Sequence, residues 1–195
     1  LREHLRWFDV KPLFGRRVVV TRPREQAREL TELLEDQGAQ VVLAPTVRLA
    51  PAGDYTDLDA ACAGIDAFDW VVLPTLTGAE VFLKRLFACG IDVRTLKGVG
   101  LCAIGQSSVE RFADVGLRVE VARAEFRPDA IIEALAAGGG LGGKRVLLLQ
   151  AEGARDIFAA ELRKAGAEVL EIGAYRTVRI LPRGNWQDES GPIVK

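Results

Sequence analysis

The residues of this chain whose types and placement could do chemistry are Arg22, Thr75, Gly78, Gly105, Ser108, Arg155 and Tyr175. Six of them fall in four short stretches: Thr21-Arg22-Pro23-Arg24, Pro74–Gly78, Gly105–Ser108 and Gln150–Arg155. Each stretch follows an apolar run and precedes a helix-length segment. In open α/β sheets, ligands bind at such carboxyl ends of strands. Three of the stretches offer a hydroxyl or a glycine just before a helix, where free N–H groups favour an anion. Arg22, Arg24 and Arg155 add positive charge. The combination suits a ligand with several carboxylates or phosphates. A plainer reading stands beside it, in which the Ser and Thr residues are ordinary N-caps and the arginines are solvated surface. Tyr175 is the remaining candidate. Its phenol either faces a cleft and donates a hydrogen bond or proton, or packs as an aromatic with its hydroxyl in water.

Other chemistries are disfavoured. The sequence has no G-x-G-x-x-G and no G-x-x-x-x-G-K-[ST], so a nucleotide is not indicated. It has no paired-carboxylate motif, and Asp54, Asp57 and Asp59 read as capping and first-turn residues. His4 is the only histidine, which argues against a Ser-His-Asp triad, a Cys-His pair or a histidine-rich metal site. An enzyme built this way works by positioning and electrostatics on a reactive substrate. Cys62, Cys89 and Cys102 are widely spaced and read as reduced, buried thiols of a cytoplasmic protein. The net charge of −1 favours neither nucleic acid nor a bare membrane surface. No apolar stretch approaches the ~20 residues of a membrane span, and the N-terminus shows no secretory core.

The elements that must position these residues repeat. Phe14–Arg48 lies on Gly142–Arg176 without a gap, so that Leu34 matches Leu162, Gly38-Ala39 matches Gly166-Ala167, and Arg48 matches Arg176. Each copy is an apolar run, a helix-length stretch, a Gly-Ala corner and a second apolar run, which is a βαβ-type unit. Two copies this far apart imply two α/β lobes with a cleft between them. Strands are expected at 17–21, 40–44, 46–50, 70–73, 99–104, 118–121, 144–149 and 168–172, with a last extended run over 174–180. Helices are expected to follow Thr21, cover 54–64, start near Pro74 and Gly105, and cover 127–137 and 153–165. The alternation argues for parallel sheets wrapped by helices, split between two small sheets rather than one large one.

These stretches are also recognisable. VVVTRPREQARELTELLEDQGAQVVLAPTVRL, FDWVVLPTLTGAEVF, GLCAIGQSSVERFADVGL and RVLLLQAEGARDIFAAELRKAGAEVLEIGAYRTV resemble uroporphyrinogen-III synthase over residues 14–178. The leader LREHLRWFDVKPLFG is similar to the junction of fused proteins that carry a uroporphyrinogen-III C-methyltransferase before the synthase.

The resemblance implies a cytoplasmic, cofactor-free lyase of tetrapyrrole biosynthesis, which serves heme, siroheme and cobalamin. Such an enzyme converts hydroxymethylbilane, which carries eight carboxylates, to uroporphyrinogen III, with loss of water and inversion of ring D. It implies two small parallel-sheet lobes joined by a two-stranded linker, here near 41–50 and 169–178. Residues 1–13 would end the methyltransferase module. Lobe 1 would hold 14–45 and 177–195, and lobe 2 would hold 46–176. By the family's motifs, Tyr175 matches the suspected proton donor to the leaving hydroxyl. Arg22, Thr75, Gly78, Gly105, Ser108 and Arg155 match substrate-binding positions. Pro74 and Thr77 depart from the usual residues of their loop, and Gln150 stands where an arginine is frequent.

The chain contains no methionine, and only residues 177–195 follow the tyrosine strand. The expectation is therefore a segment of a longer polypeptide with an incomplete first lobe and little activity of its own. The competing reading is a non-catalytic α/β module that binds a small polyanion or a partner domain.

Overall fold

The first copy of the repeat folds as its pattern requires. Arg17–Val20 (β1) leads through a 3₁₀ turn, Arg24–Gln26, into the helix Arg28–Asp36 (α1) and back through Gln40–Leu43 (β2). In the second copy Arg145–Ala151 (β7), Ile157–Lys164 (α6) and Glu168–Arg179 (β8) take the same places. Both strand pairs are parallel and share one register: Arg17 faces Gln40 and Arg145 faces Glu168. Gly38 and Gly166 close the two helices at φ +88° and +95°. A Cβ on Gly38 would meet Phe14 Cα at 3.2 Å, and one on Gly166 would meet Gly142 Cα at 3.0 Å. Glycine is required at both corners, by backbone angle and by space.

This computed structural model describes residues 10–123, 127–137, 139–155 and 157–180. The chain divides into two compact units, Leu1–Leu49 with Thr177–Lys195 and Ala50–Arg176. Among the described residues, the first unit holds the two-stranded sheet β1-β2. The second is built on a six-stranded sheet to which Val47–Pro51 (β3) contributes an edge. Its order is β3-β8-β7-β4-β5-β6, with β4 at Trp70–Leu73, β5 at Gly100–Ile104 and β6 at Val121–Arg123. β4 pairs in parallel with both β5 and β7, as β5 does with β6 and β7 with β8.

Helices cover both faces of this sheet, which is why β4, β5 and β7 read as unbroken apolar runs. Val72, Cys102, Ile104, Val146 and Leu148 pack on the helices Pro128–Ala136 (α5), through Ile131 and Leu135, and α6, through Phe158 and Leu162. Among the described residues, the remaining α-helices are Thr56–Ala63 (α2), Leu76–Ala88 (α3) and Gln106–Ala113 (α4). Phe82 of α3 and Phe112 of α4 are fully buried, with ring centroids 6.5 Å apart.

Several boundaries differ from the sequence expectation, each for a local reason. Thr21 caps no helix: Pro23 opens the 3₁₀ turn, and the Thr21 carbonyl accepts the N–H of Thr46. The strand expected at 118–121 begins only at Val121, because the Glu120 carboxylate takes the Leu101 N–H first. The helix expected from 153 is described from Ile157, after a turn that needs φ +69° at Gly153. The two extended runs expected at 168–172 and 174–180 form the single strand β8. Cys62 and Cys102 are buried as expected, whereas Cys89 is exposed. His4 lies outside the described residues.

Candidate functional site

In the second unit the chain runs from β4 outward to β5 and β6, then returns to the other side of β4 with β7 and β8. The strand order therefore reverses between β4 and β7. The carboxyl ends at such a reversal leave a crevice in which ligands of this sheet type bind. The loops at this reversal are Pro74–Thr75 and Glu152–Arg155. They contain Thr75 and Arg155, and Gly78 lies in the first turn of the helix that follows the former.

Thr75 is the N-cap of α3, with extended backbone, and its hydroxyl oxygen accepts the N–H of Gly78 at 3.1 Å. Gly78 is buried, and a Cβ there would lie 3.3 Å from the Leu149 carbonyl oxygen of β7 and 3.2 Å from Thr75 Oγ1. The glycine thus lets the start of α3 approach both its cap and the neighbouring strand.

Tyr175 reaches the same place from β8. Between β7 and β8 the register shifts: Gln150 faces Gly173, but Ala151 faces Tyr175. One residue of β8 is extra at this bulge, which re-aims the side chains beyond it. The Tyr175 carbonyl oxygen accepts the Glu152 N–H at 2.7 Å, and its hydroxyl lies 3.1 Å from Thr75 Oγ1. Tyr175 is only 7% exposed. Its hydroxyl meets a side chain, not merely water. Thr75, Gly78 and Tyr175 are thereby brought together, although Thr75 and Tyr175 are far apart in sequence.

The other expected site residues are placed differently. Gly105 sits at φ +85° and ψ 142° after β5, one strand away from β4, and opens α4. Ser108 is 1% exposed, and its hydroxyl donates to the Ile104 carbonyl at 2.8 Å. That hydroxyl points into the fold. Arg155 is exposed in the loop after β7. Arg22 is exposed after β1, in the other unit.

Two residues near the bulge were not singled out by the sequence. The Glu152 carboxylate accepts the Gly53 N–H at 3.2 Å and lies 3.9 Å from Arg176 Nε. A Cβ on Gly173 would fall 2.6 Å from Glu152 Cγ, so this strand glycine is required by close approach. A lone glycine inside a strand is the signal that could have marked the bulge. Gln150 is buried and donates to Glu171 at 2.6 Å. It is thus engaged in the fold at the position where the resemblance had an arginine. Burial pushes the thiols of Cys62 and Cys102 up to about 12, which leaves neither as a nucleophile near neutral pH. Among the described residues, no group of three or more His, Cys, Asp or Glu is placed to hold a metal ion.

A parallel α/β sheet with helices on both faces and a reversal of strand order defines an α/β protein of doubly wound type, with a tyrosine–threonine pair at that reversal. Residues 28–188 match the family model described as uroporphyrinogen-III synthase HemD, and the chain belongs to that family. It is 28% identical over 170 residues to the uroporphyrinogen-III synthase of Synechococcus elongatus, over 86% of this chain and 62% of that protein. It is 33% identical over 117 residues to the porphyrin biosynthesis protein HemD of Ruminiclostridium josui, over 60% of this chain and 23% of that protein. Among solved structures, the wild-type uroporphyrinogen III synthase of Thermus thermophilus superposes with a TM-score of 0.57 at 21% identity, covering 85% of this chain and 63% of that one. A mutant form of the same enzyme gives a TM-score of 0.61 at 16% identity. These structures share the fold. The chain spans between 23% and 62% of the length of the two sequence relatives.

Proposed function

We propose that this protein is a uroporphyrinogen-III synthase, a cyclising lyase that converts hydroxymethylbilane to uroporphyrinogen III with loss of water and inversion of ring D. Family membership supports the activity. The observation that carries the site is the Tyr175 hydroxyl, 3.1 Å from Thr75 Oγ1 at the reversal of strand order. In this reading Tyr175 gives its proton to the leaving hydroxyl of the bilane. The C–O bond breaks and water departs, leaving a cation delocalised onto the pyrrole nitrogen. The substituted α-carbon of ring D attacks this cation to give a spiro intermediate. Its bond to the original methylene bridge breaks and re-forms at the ring's free α-carbon, which inverts ring D. The proton lost there returns to the phenolate, so substrate becomes product plus water.

Arg155 and the start of α4 behind Gly105 supply positive charge and N–H groups for the substrate carboxylates, and Arg22 is a substrate-binding position by the family resemblance alone. Ser108 acts there through its place in the first turn of α4, since its hydroxyl is engaged. The leader's resemblance supports a synthase fused behind a uroporphyrinogen-III C-methyltransferase. The free thiols at Cys62, Cys89 and Cys102 support a cytoplasmic setting.

The test is incubation with freshly made hydroxymethylbilane and separation of the isomers. In the form in which the cell makes the protein, isomer III should exceed the isomer I that forms spontaneously. Because the chain spans 62% of its Synechococcus relative, residues 1–195 alone should give little isomer III. Tyr175→Phe should lower kcat with KM nearly unchanged. Isomer I alone from the cellular form, with saturable binding of uroporphyrin, would instead establish a non-catalytic polyanion-binding module.

A further inference from the structure

We propose that Thr75 is a positioning residue for Tyr175, whose hydroxyl stabilises the phenolate left when the tyrosine gives up its proton. The inference deepens the proposed function and depends on Tyr175 being the proton donor. It starts from the valence of one oxygen. A backbone N–H can only donate, so the Gly78 N–H occupies one lone pair of Thr75 Oγ1. The Tyr175 hydroxyl lies 3.1 Å from the same oxygen. Two hydroxyls in contact exchange the donor role according to need.

Without substrate, the phenol donates to Thr75; with the bilane bound, it turns that proton to the leaving hydroxyl and frees Thr75 to reorient. Once its O–H bond breaks, the electron pair stays on the tyrosine oxygen, which becomes an acceptor only. The threonine hydroxyl then turns its own proton toward that oxygen while it still accepts from Gly78. The result is a short chain from the Gly78 N–H through Thr75 to the phenolate. It links the developing charge to the amino end of α3, a helix of 13 residues, where negative charge is favoured. The proton itself goes to the leaving hydroxyl of the substrate and departs as water. No other reactant is needed.

The surroundings suit this role. Tyr175 is buried and Thr75 half-buried, so water competes weakly for their hydrogen bond. Thr75 is fixed from two sides, by the Gly78 N–H it caps and by the phenol from β8. Ser108 stands at the third residue of α4 and shows the contrast. Its hydroxyl is spent on a backbone carbonyl, so the same residue chemistry has no part in proton transfer there.

The test uses three substitutions of Thr75, assayed for isomer III in the form of the protein that the cell makes. Thr75→Val removes the hydroxyl and should lower kcat about tenfold to a hundredfold with KM little changed, the range of one hydrogen bond to a charged group. Thr75→Ser should restore most of the loss. Thr75→Asp keeps an acceptor for the Gly78 N–H, and with it the helix cap, but cannot donate; kcat should stay low while the melting temperature recovers.

In a Tyr175→Phe background, Thr75→Val should cost no further turnover. An equal loss of kcat from Thr75→Val in both backgrounds, or no rescue by Thr75→Ser, would overturn the proposal while leaving the synthase reading intact. Unchanged turnover in Tyr175→Phe alone would overturn the tyrosine's role as donor, and with it the role assigned to Thr75.

Discussion

Ser108 and Thr75 each stand where a strand gives way to a helix, and each carries one hydroxyl. What separates them is the partner that takes it. Thr75 leaves a contact with the phenol of Tyr175 at the strand reversal, whereas Ser108 turns back onto the Ile104 carbonyl and is 1% exposed. Removing the Ser108 hydroxyl therefore deletes one neutral buried hydrogen bond. Ser108→Ala should lower stability by about 1 kcal/mol, read as a reduced urea midpoint at unchanged slope. The same variant should retain the parent's isomer III yield and KM. A raised KM at unchanged stability would show that Ser108 meets the substrate through its side chain. Motif matching alone could not distinguish these two hydroxyls, because the direction of a side chain depends on φ, ψ and rotamer rather than on residue type.

At the scale of elements, the patterns that depend on neighbours along the chain were legible. Unbroken apolar runs located β4 and β7, the Gly-Ala corners located the ends of α1 and α6, and the repeat implied two like βαβ-type units. Features that depend on contacts across the chain were not. The bulge opposite Gln150 follows from packing between β7 and β8, and it decides where Tyr175 points. It also joins two expected extended runs into β8 and seats Glu152 against Gly173. The position of Tyr175 in the site was therefore open from the sequence, while its contact with Thr75 could not be read from it at all.

The bulge makes a prediction of its own. Gly173→Ala would place a Cβ 2.6 Å from Glu152 Cγ and 3.2 Å from Glu152 Cα. The side chain can swing away, but the Cα can yield only if the turn after β7 moves. A loss of about 1–3 kcal/mol is expected, together with a lower kcat, because the Glu152 N–H is bonded to the Tyr175 carbonyl. Thermal denaturation and the isomer assay on one preparation check both. Full stability with full turnover would show that the bulge is tolerant and that it does not hold the tyrosine.

At the scale of the whole molecule, the described residues of the two units differ in how their central strands are covered, although Phe87, Ile157 and Leu170 of the second unit are also exposed. In the second unit Val71, Val72, Leu73, Val146, Leu147, Leu148 and Leu149 are all fully buried, with helices over both faces of the sheet. In the first, Val19 of β1 is 43% exposed, Leu43 of β2 40% and Leu33 of α1 58%. A two-stranded parallel sheet is marginal by itself, and here its side chains are only partly covered. Local opening costs less where fewer apolar contacts must be broken. Hydrogen exchange followed by mass spectrometry should therefore show two classes of protected amide. Peptides covering β4, β5 and β7 should exchange slowest, by global opening of the second unit. Peptides covering β1 and β2 should exchange at least about tenfold faster, which corresponds to an opening free energy lower by roughly 1.4 kcal/mol or more. Added uroporphyrin should slow exchange in the loops after β4 and β7 if the ligand binds at the strand reversal. Equal protection in both sheets would mean that the first unit is held as firmly as the second, despite its exposed valine and leucines.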